Sequence, residues 1–365
     1  MEFIQSLILL AIVLVVPKLR KVYFSSEAPP TRNRARSLPV GEGGLNRLKT
    51  SRLTFFDFTK GLAITAVVLI HSIYLFKEKF PDFDPFWLDS INNLSRFAVG
   101  FFFISSGALL TSGLTKKKIL RIFMPYVLAC IAIGVFQQKS LDLIIGGVFR
   151  GDLLPPYYFI PVLFQFYLLF PLLTRLRAKK YFLPVSLTIS YICYATPGLT
   201  YIAGVHTFGP LLFLFTFGMA YSGKLKSQKP FGNISTWALI IPIYIGLQFM
   251  LPAHYYNSRF FYAPALFVVL HYLWYKFRAL EKVKVLQTLG KLSLWIYLVH
   301  FSIESFFVNL IPYGFNYSVF IYILLITILT TVASGALAKL FENVYFQFLS
   351  LVEKKFLHVF LVKGN

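Results

Sequence analysis

The chain has 365 residues, of which 57% are hydrophobic and only 14% charged, and its mean hydropathy is +0.68. These values exclude an ordinary soluble domain and place the chain among polytopic membrane proteins. A net charge of +22 would suggest a nucleic-acid partner in a soluble chain. Here the lysines and arginines cluster in short loops between apolar runs, which is the signature of membrane topology and argues against nucleic acid.

The first element is an apolar run over 3–16, preceded by one acid and followed by Lys18, Arg20 and Lys21. A cleavable signal peptide needs the opposite arrangement, with positive charge first and a small-residue site after. Residues 1–17 are therefore expected to form an uncleaved transmembrane helix with its N-terminus outside. Residues 18–54 mix Pro, Gly and Ser with many basic residues. They read as a flexible cytoplasmic linker resting on anionic lipid headgroups.

Ten further spans are predicted at about 55–76, 91–113, 119–136, 157–173, 181–196, 208–222, 233–251, 259–276, 289–309 and 317–338. The expected fold is thus all-α: a polytopic bundle of ten core helices over 55–338 plus the extra N-terminal helix. Starting 55–76 from the cytoplasm puts the basic loops 116–118, 175–180, 224–229 and 276–284 inside. The opposite side then keeps only Lys77, Lys79, Lys139, Arg150 and Arg259, against Glu78, Asp82, Asp84, Asp89, Asp142 and Asp152. Residues 137–156 are too short and interrupted to span and read as a folded outer loop or a re-entrant piece. The tail 339–365 repeats apolar residues at helical spacing, as expected of an amphipathic helix on the cytoplasmic face. Cys130 and Cys193 both lie in apolar spans, as small buried hydrophobes. No histidine or cysteine spacing resembles a metal site.

Four constellations carry chemistry. In the span 55–76, Asp57, Lys60 and His71 share one helical stripe, since eleven residues bring Lys60 and His71 to within about 20° of each other. Ionisable groups at membrane depth are costly, so three on one stripe point to a functional cavity. A structural Asp57–Lys60 pair with a satisfied histidine is the plainer alternative. The segment 95–107 carries Arg96 at its outer end, explained either by snorkelling or by a substrate contact, and ends in the small residues Ser105, Ser106 and Gly107. Lys116, Lys117 and Lys118 precede Arg121; lysines here are topology signals, whereas Lys118 and Arg121 can also meet phosphate. Finally, His300 and Glu304 stand one turn apart in mid-span, either as a self-satisfied couple or as an acid and base near a substrate.

The blocks DFTKGLAITAVVLIHS, SRFAVGFFFISSGALL, RIFMPY, YYFIPVLFQFYLLFPLL and LGKLSLWIYLVH occur in that order. Together they resemble the acyltransferase-3 family of integral membrane O-acyltransferases, over roughly residues 52–345. The resemblance implies ten core helices and transfer of an acyl group, usually acetyl from acetyl-CoA, to a carbohydrate hydroxyl of an envelope polysaccharide or lipid-linked glycan. It further implies His71 as catalytic base, Lys60 at the basic position eleven residues earlier, and Arg121 at a basic position after the SG motif. Many members have arginine where this chain has Lys60, a point charge in place of a bidentate fork. The N-terminal helix and linker also depart from the usual plan.

The reading expected from the sequence is a bacterial cytoplasmic-membrane O-acetyltransferase. Asp57, Lys60 and His71 would be catalytic, Lys60, Lys118 and Arg121 would hold acetyl-CoA, and Arg96, His300 and Glu304 would meet the acceptor. A transporter or flippase for acyl groups or lipid-linked sugars, which moves its substrate unchanged and needs no CoA, is the rival. A membrane scaffold leaves His71 and Lys60 unexplained.

Overall fold

A computed structural model describes residues 53–82, 86–227, 231, 234–250, 259–310 and 318–362. The predicted N-terminal helix, and the linker as far as residue 52, lie outside the described residues. The described residues form helices and the short turns that join them, apart from a small antiparallel hairpin in which Tyr201 pairs with His206 and Ile202 with Val205. The protein is an all-α, multi-pass membrane bundle.

The helices follow the predicted spans in order. α1 (Thr54–Lys79) is 26 residues long and apolar enough to cross a bilayer. Asp57 lies in its first turn and Lys77 and Lys79 in its last, the arrangement that complements the helix dipole. α2 (Phe86–Ser95) and α3 (Phe97–Leu109) replace the single span predicted at 91–113. The chain breaks at Arg96 because the polar run before it is tied sideways. The Asn93 amide donates to Gln248 Oε1 at 3.2 Å, and the Tyr244 hydroxyl donates to the Asn93 carbonyl at 3.3 Å.

α4 (Ile119–Phe136) opens with a π-helical turn over Ile119–Phe123. α5 (Leu141–Arg150) is too short to span and fills the predicted outer segment. α6 (Phe159–Leu176) and α7 (Phe182–Ala195) follow, then α8 (Leu212–Ala220), α9 (Ile234–Met250) and α10 (Arg259–Lys276).

The span predicted at 289–309 is also broken. α11 (Lys284–Lys291) meets α12 (Ser293–Asn309) at a bend of 86°. α11 lies instead across the start of α1, with the two backbones in contact. A Cβ at Gly61 would stand 1.8 Å from the Leu286 carbonyl oxygen, and one at Gly290 would stand 1.7 Å from that of Asp57. Only glycine permits this approach. The glycines of the DFTKG and LGK blocks are therefore two halves of one contact.

α13 (Val319–Val362) is a single continuous helix of 44 residues, with no break where the last span was expected to give way to a separate tail. At 1.5 Å per residue it is about 66 Å long, twice the thickness of a hydrocarbon core. Fully buried aromatics, among them Phe101, Phe103, Phe166, Phe213, Phe215 and Trp237, fill the centre of the bundle. Phe166 and Phe215 stack with centroids 4.3 Å apart.

Candidate functional site

α1 and α12 run side by side in the same direction, and contacts between them recur in register along their length. Lys60 and Ser293 line one cavity. Further along, the rings of His71 and His300 are 5.4 Å apart. The Ser72 hydroxyl donates to Glu304 Oε1. At the C-terminal ends of both helices, Lys79 Nζ donates to the Val308 carbonyl at 2.9 Å, satisfying one of the last carbonyls of α12.

The cavity has a volume of about 150 Å³ and lies between α1, α3, α4, α6 and α12. Its polar groups are Lys60, Ser106, Tyr167, Ser293 and Tyr297, set among apolar walls. Ser293 is the first residue of α12, and no side chain caps that end. The first N–H groups of a helix carry partial positive charge and suit an anion. The break that creates α12 thus places a helix N-terminus beside the Lys60 ammonium, an arrangement familiar from interrupted transmembrane helices that receive anionic groups.

The two histidines lie deeper. Lys60 and His71 are about 16 Å apart along α1, and Tyr297 spans part of that interval, its ring 6.0 Å from that of His300. His300 is fully buried, with Nδ1 2.8 Å from the Tyr297 carbonyl and 3.2 Å from that of Ile296. Both neighbours are acceptors, so Nδ1 carries the hydrogen and Nε2 keeps its lone pair. That Nε2 is buried and has no partner among the described residues, and the same holds for His71 Nδ1. The His71 ring rests edge-on against Phe301 at 5.3 Å. Arg96, at the break between α2 and α3, is within electrostatic range of His71. It belongs to the same neighbourhood and is half-buried.

Glu304 is fully buried. The Thr327 hydroxyl of α13 shares its hydrogen between Ser72 Oγ at 3.1 Å and the Ile323 carbonyl at 2.7 Å. Thr327, Ser72 and Glu304 therefore form a hydroxyl chain ending on a carboxyl group. Its second oxygen, Oε2, has no partner among the described residues.

The other residues singled out in the sequence lie elsewhere. Asp57 is buried in the first turn of α1, about 21 Å along the helix from His71. Lys118 sits over the Tyr167 ring at 5.0 Å and donates to the carbonyls of Ser112 and Gly113, closing the turn after α3. Burial pulls its ammonium below the usual lysine range. It borders a small recess that shares Ile122 and Tyr167 with the Lys60 cavity. Arg121 is exposed and lies over the Phe346 ring at 5.7 Å, outside that cavity.

Sequence reasoning passed over the tyrosines of the later blocks. The Tyr297 hydroxyl donates to the Pro156 carbonyl, and the Tyr157 hydroxyl donates to the Leu298 carbonyl at 2.6 Å. Tyr126 completes the set with a bond to the Val148 carbonyl at 2.8 Å. The signal was present: a tyrosine in an apolar span must find an acceptor within the bundle.

A multi-pass helical bundle with a cavity lined by Lys60 and a facing pair of imidazoles further along defines an integral membrane protein with an internal polar site. The profile of the acyltransferase-3 family, an acyltransferase domain, matches residues 53–339. The chain belongs to that family and is a membrane acyltransferase. No curated protein and no solved structure gives a significant match.

Proposed function

We propose that this acyltransferase moves an acetyl group from acetyl-CoA to a hydroxyl of a cell-envelope polysaccharide or lipid-linked glycan, in a bacterial cytoplasmic membrane, with His71 as general base. The observation that carries this reading is the facing of His71 and His300, 5.4 Å apart and each with a buried nitrogen that has no partner among the described residues, beyond a cavity walled by Lys60 and the start of α12. Acetyl-CoA, when bound, supplies a thioester carbonyl activated toward attack. Lys60 and the first N–H groups of α12 offer positive charge to its anionic portion. The apolar walls of the cavity suit the neutral arm that leads inward.

His71 takes the proton of the acceptor hydroxyl as its oxygen bonds to the thioester carbon. The carbon–sulfur bond breaks, and the departing thiolate receives that proton, so the imidazole returns to its starting state. His300 presents a lone pair to the same space because its Nδ1 hydrogen is held by the Tyr297 carbonyl. Glu304, which accepts from Ser72, and Arg96, within electrostatic range of His71, are the ionisable groups assigned to the acceptor side of the pair.

His71→Gln tests the base. An amide replaces a structural hydrogen bond but takes up no proton at neutral pH. Loss of a general base costs about 10²–10⁴ in rate. The expected result, in correctly inserted protein, is acetyl-CoA binding near that of the parent with transfer to envelope glycan lost. Transfer near the parent rate would remove His71 from the role of base.

A further inference from the structure

The π turn at the start of α4 has a cause and a consequence. Pro125 has no N–H, and its ring crowds the carbonyl one turn earlier, so the helix widens ahead of it. The Met124 N–H bonds to the Ile119 carbonyl, in the π pattern. The next acceptor, the Leu120 carbonyl, then has no helical donor at the fourth residue on, which is committed to Ile119, nor at the fifth, which is the proline. Its donor is the Tyr345 hydroxyl of α13.

Tyr345 is buried and also holds the opposite wall. Its ring packs on Trp295 of α12 with centroids 5.4 Å apart. The next residue, Phe346, carries the Arg121 guanidinium on its face. Between these two attachments lies the Lys60 cavity: Ile122 of the π turn and Ser293 and Leu294 of α12 line it. Tyr345 stands six residues beyond the end of the region matched to the family, at residue 339.

We propose that the C-terminal half of α13 is a strap that sets the width of the Lys60 cavity, with Tyr345 as its positioning residue. Tyr345 touches neither the cavity nor the histidines. It acts by supplying the hydrogen bond that Pro125 denies Leu120, which fixes the π turn and with it Ile122. Arg121 lies over Phe346 beside this clasp as an exposed contact that the strap does not depend on. The functional side of the inference rests on the reading that the Lys60 cavity receives the acyl donor; the mechanical side does not.

Tyr345→Phe in the full-length, membrane-inserted protein tests it, because the ring that packs on Trp295 remains and only the hydroxyl goes. Two readouts separate the strap from the donor site. The first is the rate at which a maleimide labels Ile122→Cys, above the background of Cys130 and Cys193. The second is the pair of kinetic constants for acetyl-CoA. One lost hydrogen bond to a buried acceptor corresponds to about a three- to tenfold effect. Labelling at position 122 is expected to rise by that factor, as is KM for acetyl-CoA, while kcat stays within about twofold.

Pro125→Ala restores a backbone N–H in reach of the freed carbonyls. In that background Tyr345→Phe is expected to change both readouts by less than about twofold. Unchanged labelling on Tyr345→Phe, or the same change with and without Pro125, overturns the strap. A change in labelling with KM unaltered upholds the strap and overturns the placing of the donor in the Lys60 cavity.

Discussion

The Lys79 ammonium of α1 caps the carbonyls at the end of α12, 2.9 Å from that of Val308, and so sets the register in which His71 meets His300. The two helices are separated by more than 200 residues of chain, yet their charged and polar residues pair level by level. That register makes several outcomes measurable.

His300→Phe keeps an aromatic ring of similar bulk beside His71 but removes the lone pair that the Tyr297 carbonyl holds in place. Acetyl transfer is expected to fall by about tenfold or more, within the range for groups that assist proton transfer, with acetyl-CoA affinity unchanged. Parallel measurements of turnover and of donor binding by calorimetry decide it. Turnover equal to the parent would make His300 a packing residue.

Lys60 and Arg121 are expected to separate. Lys60→Ala removes a charged donor from the cavity and should weaken acetyl-CoA binding by about tenfold or more, with Lys60→Arg partly tolerated. Arg121→Ala should leave affinity within about twofold, since its guanidinium lies over Phe346 outside the cavity. Equal losses for both would return Arg121 to the donor site.

Gly61→Ala and Gly290→Ala each drive a methyl group into a backbone carbonyl, at 1.8 Å and 1.7 Å respectively. Neither carbonyl is a flexible side-chain end, so each substitution is expected to cost at least the 1–3 kcal/mol typical of overpacking, about what a strained core residue costs. Gly246→Ala, where nothing lies within 4 Å, is expected to be neutral or to stabilise α9 slightly. Thermal unfolding in detergent ranks the three; a Gly61→Ala protein that melts with the parent would contradict the close crossing.

His206, in the two-stranded hairpin, stacks on Tyr158 at 4.5 Å. Burial holds its imidazole below the usual histidine range, an effect that nearby Asp152 partly offsets. The folded hairpin thus favours the neutral ring. The unfolded segment takes up a proton first as pH falls through about 6.5, so hairpin stability is present above that value and declines below it. The protection of the Val205 and Thr207 amides, after correction for the intrinsic exchange rate, should fall between pH 7 and pH 5, and His206→Gln should abolish that fall. An unchanged pH response in that variant would assign the effect to another group.

The orientation can be read by thiol labelling in intact cells. Asp82→Cys lies in the exposed turn after α1 and is expected to react with an impermeant maleimide from outside, whereas Ser26→Cys should react only after permeabilisation. The reverse pattern would place the Lys60 cavity on the opposite face.

Hydropathy and the distribution of lysine and arginine were enough to define an all-α membrane bundle, because burying an unbonded backbone in lipid is so costly that long apolar runs have little choice but to be helical. Eleven residues between Lys60 and His71 were enough to place both on one stripe, since helical periodicity is local. The breaks at Arg96 and Leu292 were not legible in this way. The first arises from Asn93 being tied to Gln248 and Tyr244, the second from the glycine crossing of α11 on α1, and both are contacts between distant segments. The same holds for the site. The sequence supplied His71, His300 and Glu304 as separate candidates, but a one-dimensional pattern carries no information about which helices are neighbours. Only the packing of α1 against α12 brought the imidazoles together and set the bare N-terminus of α12 beside Lys60, and only the packing of α13 on α4 drew Arg121 over Phe346.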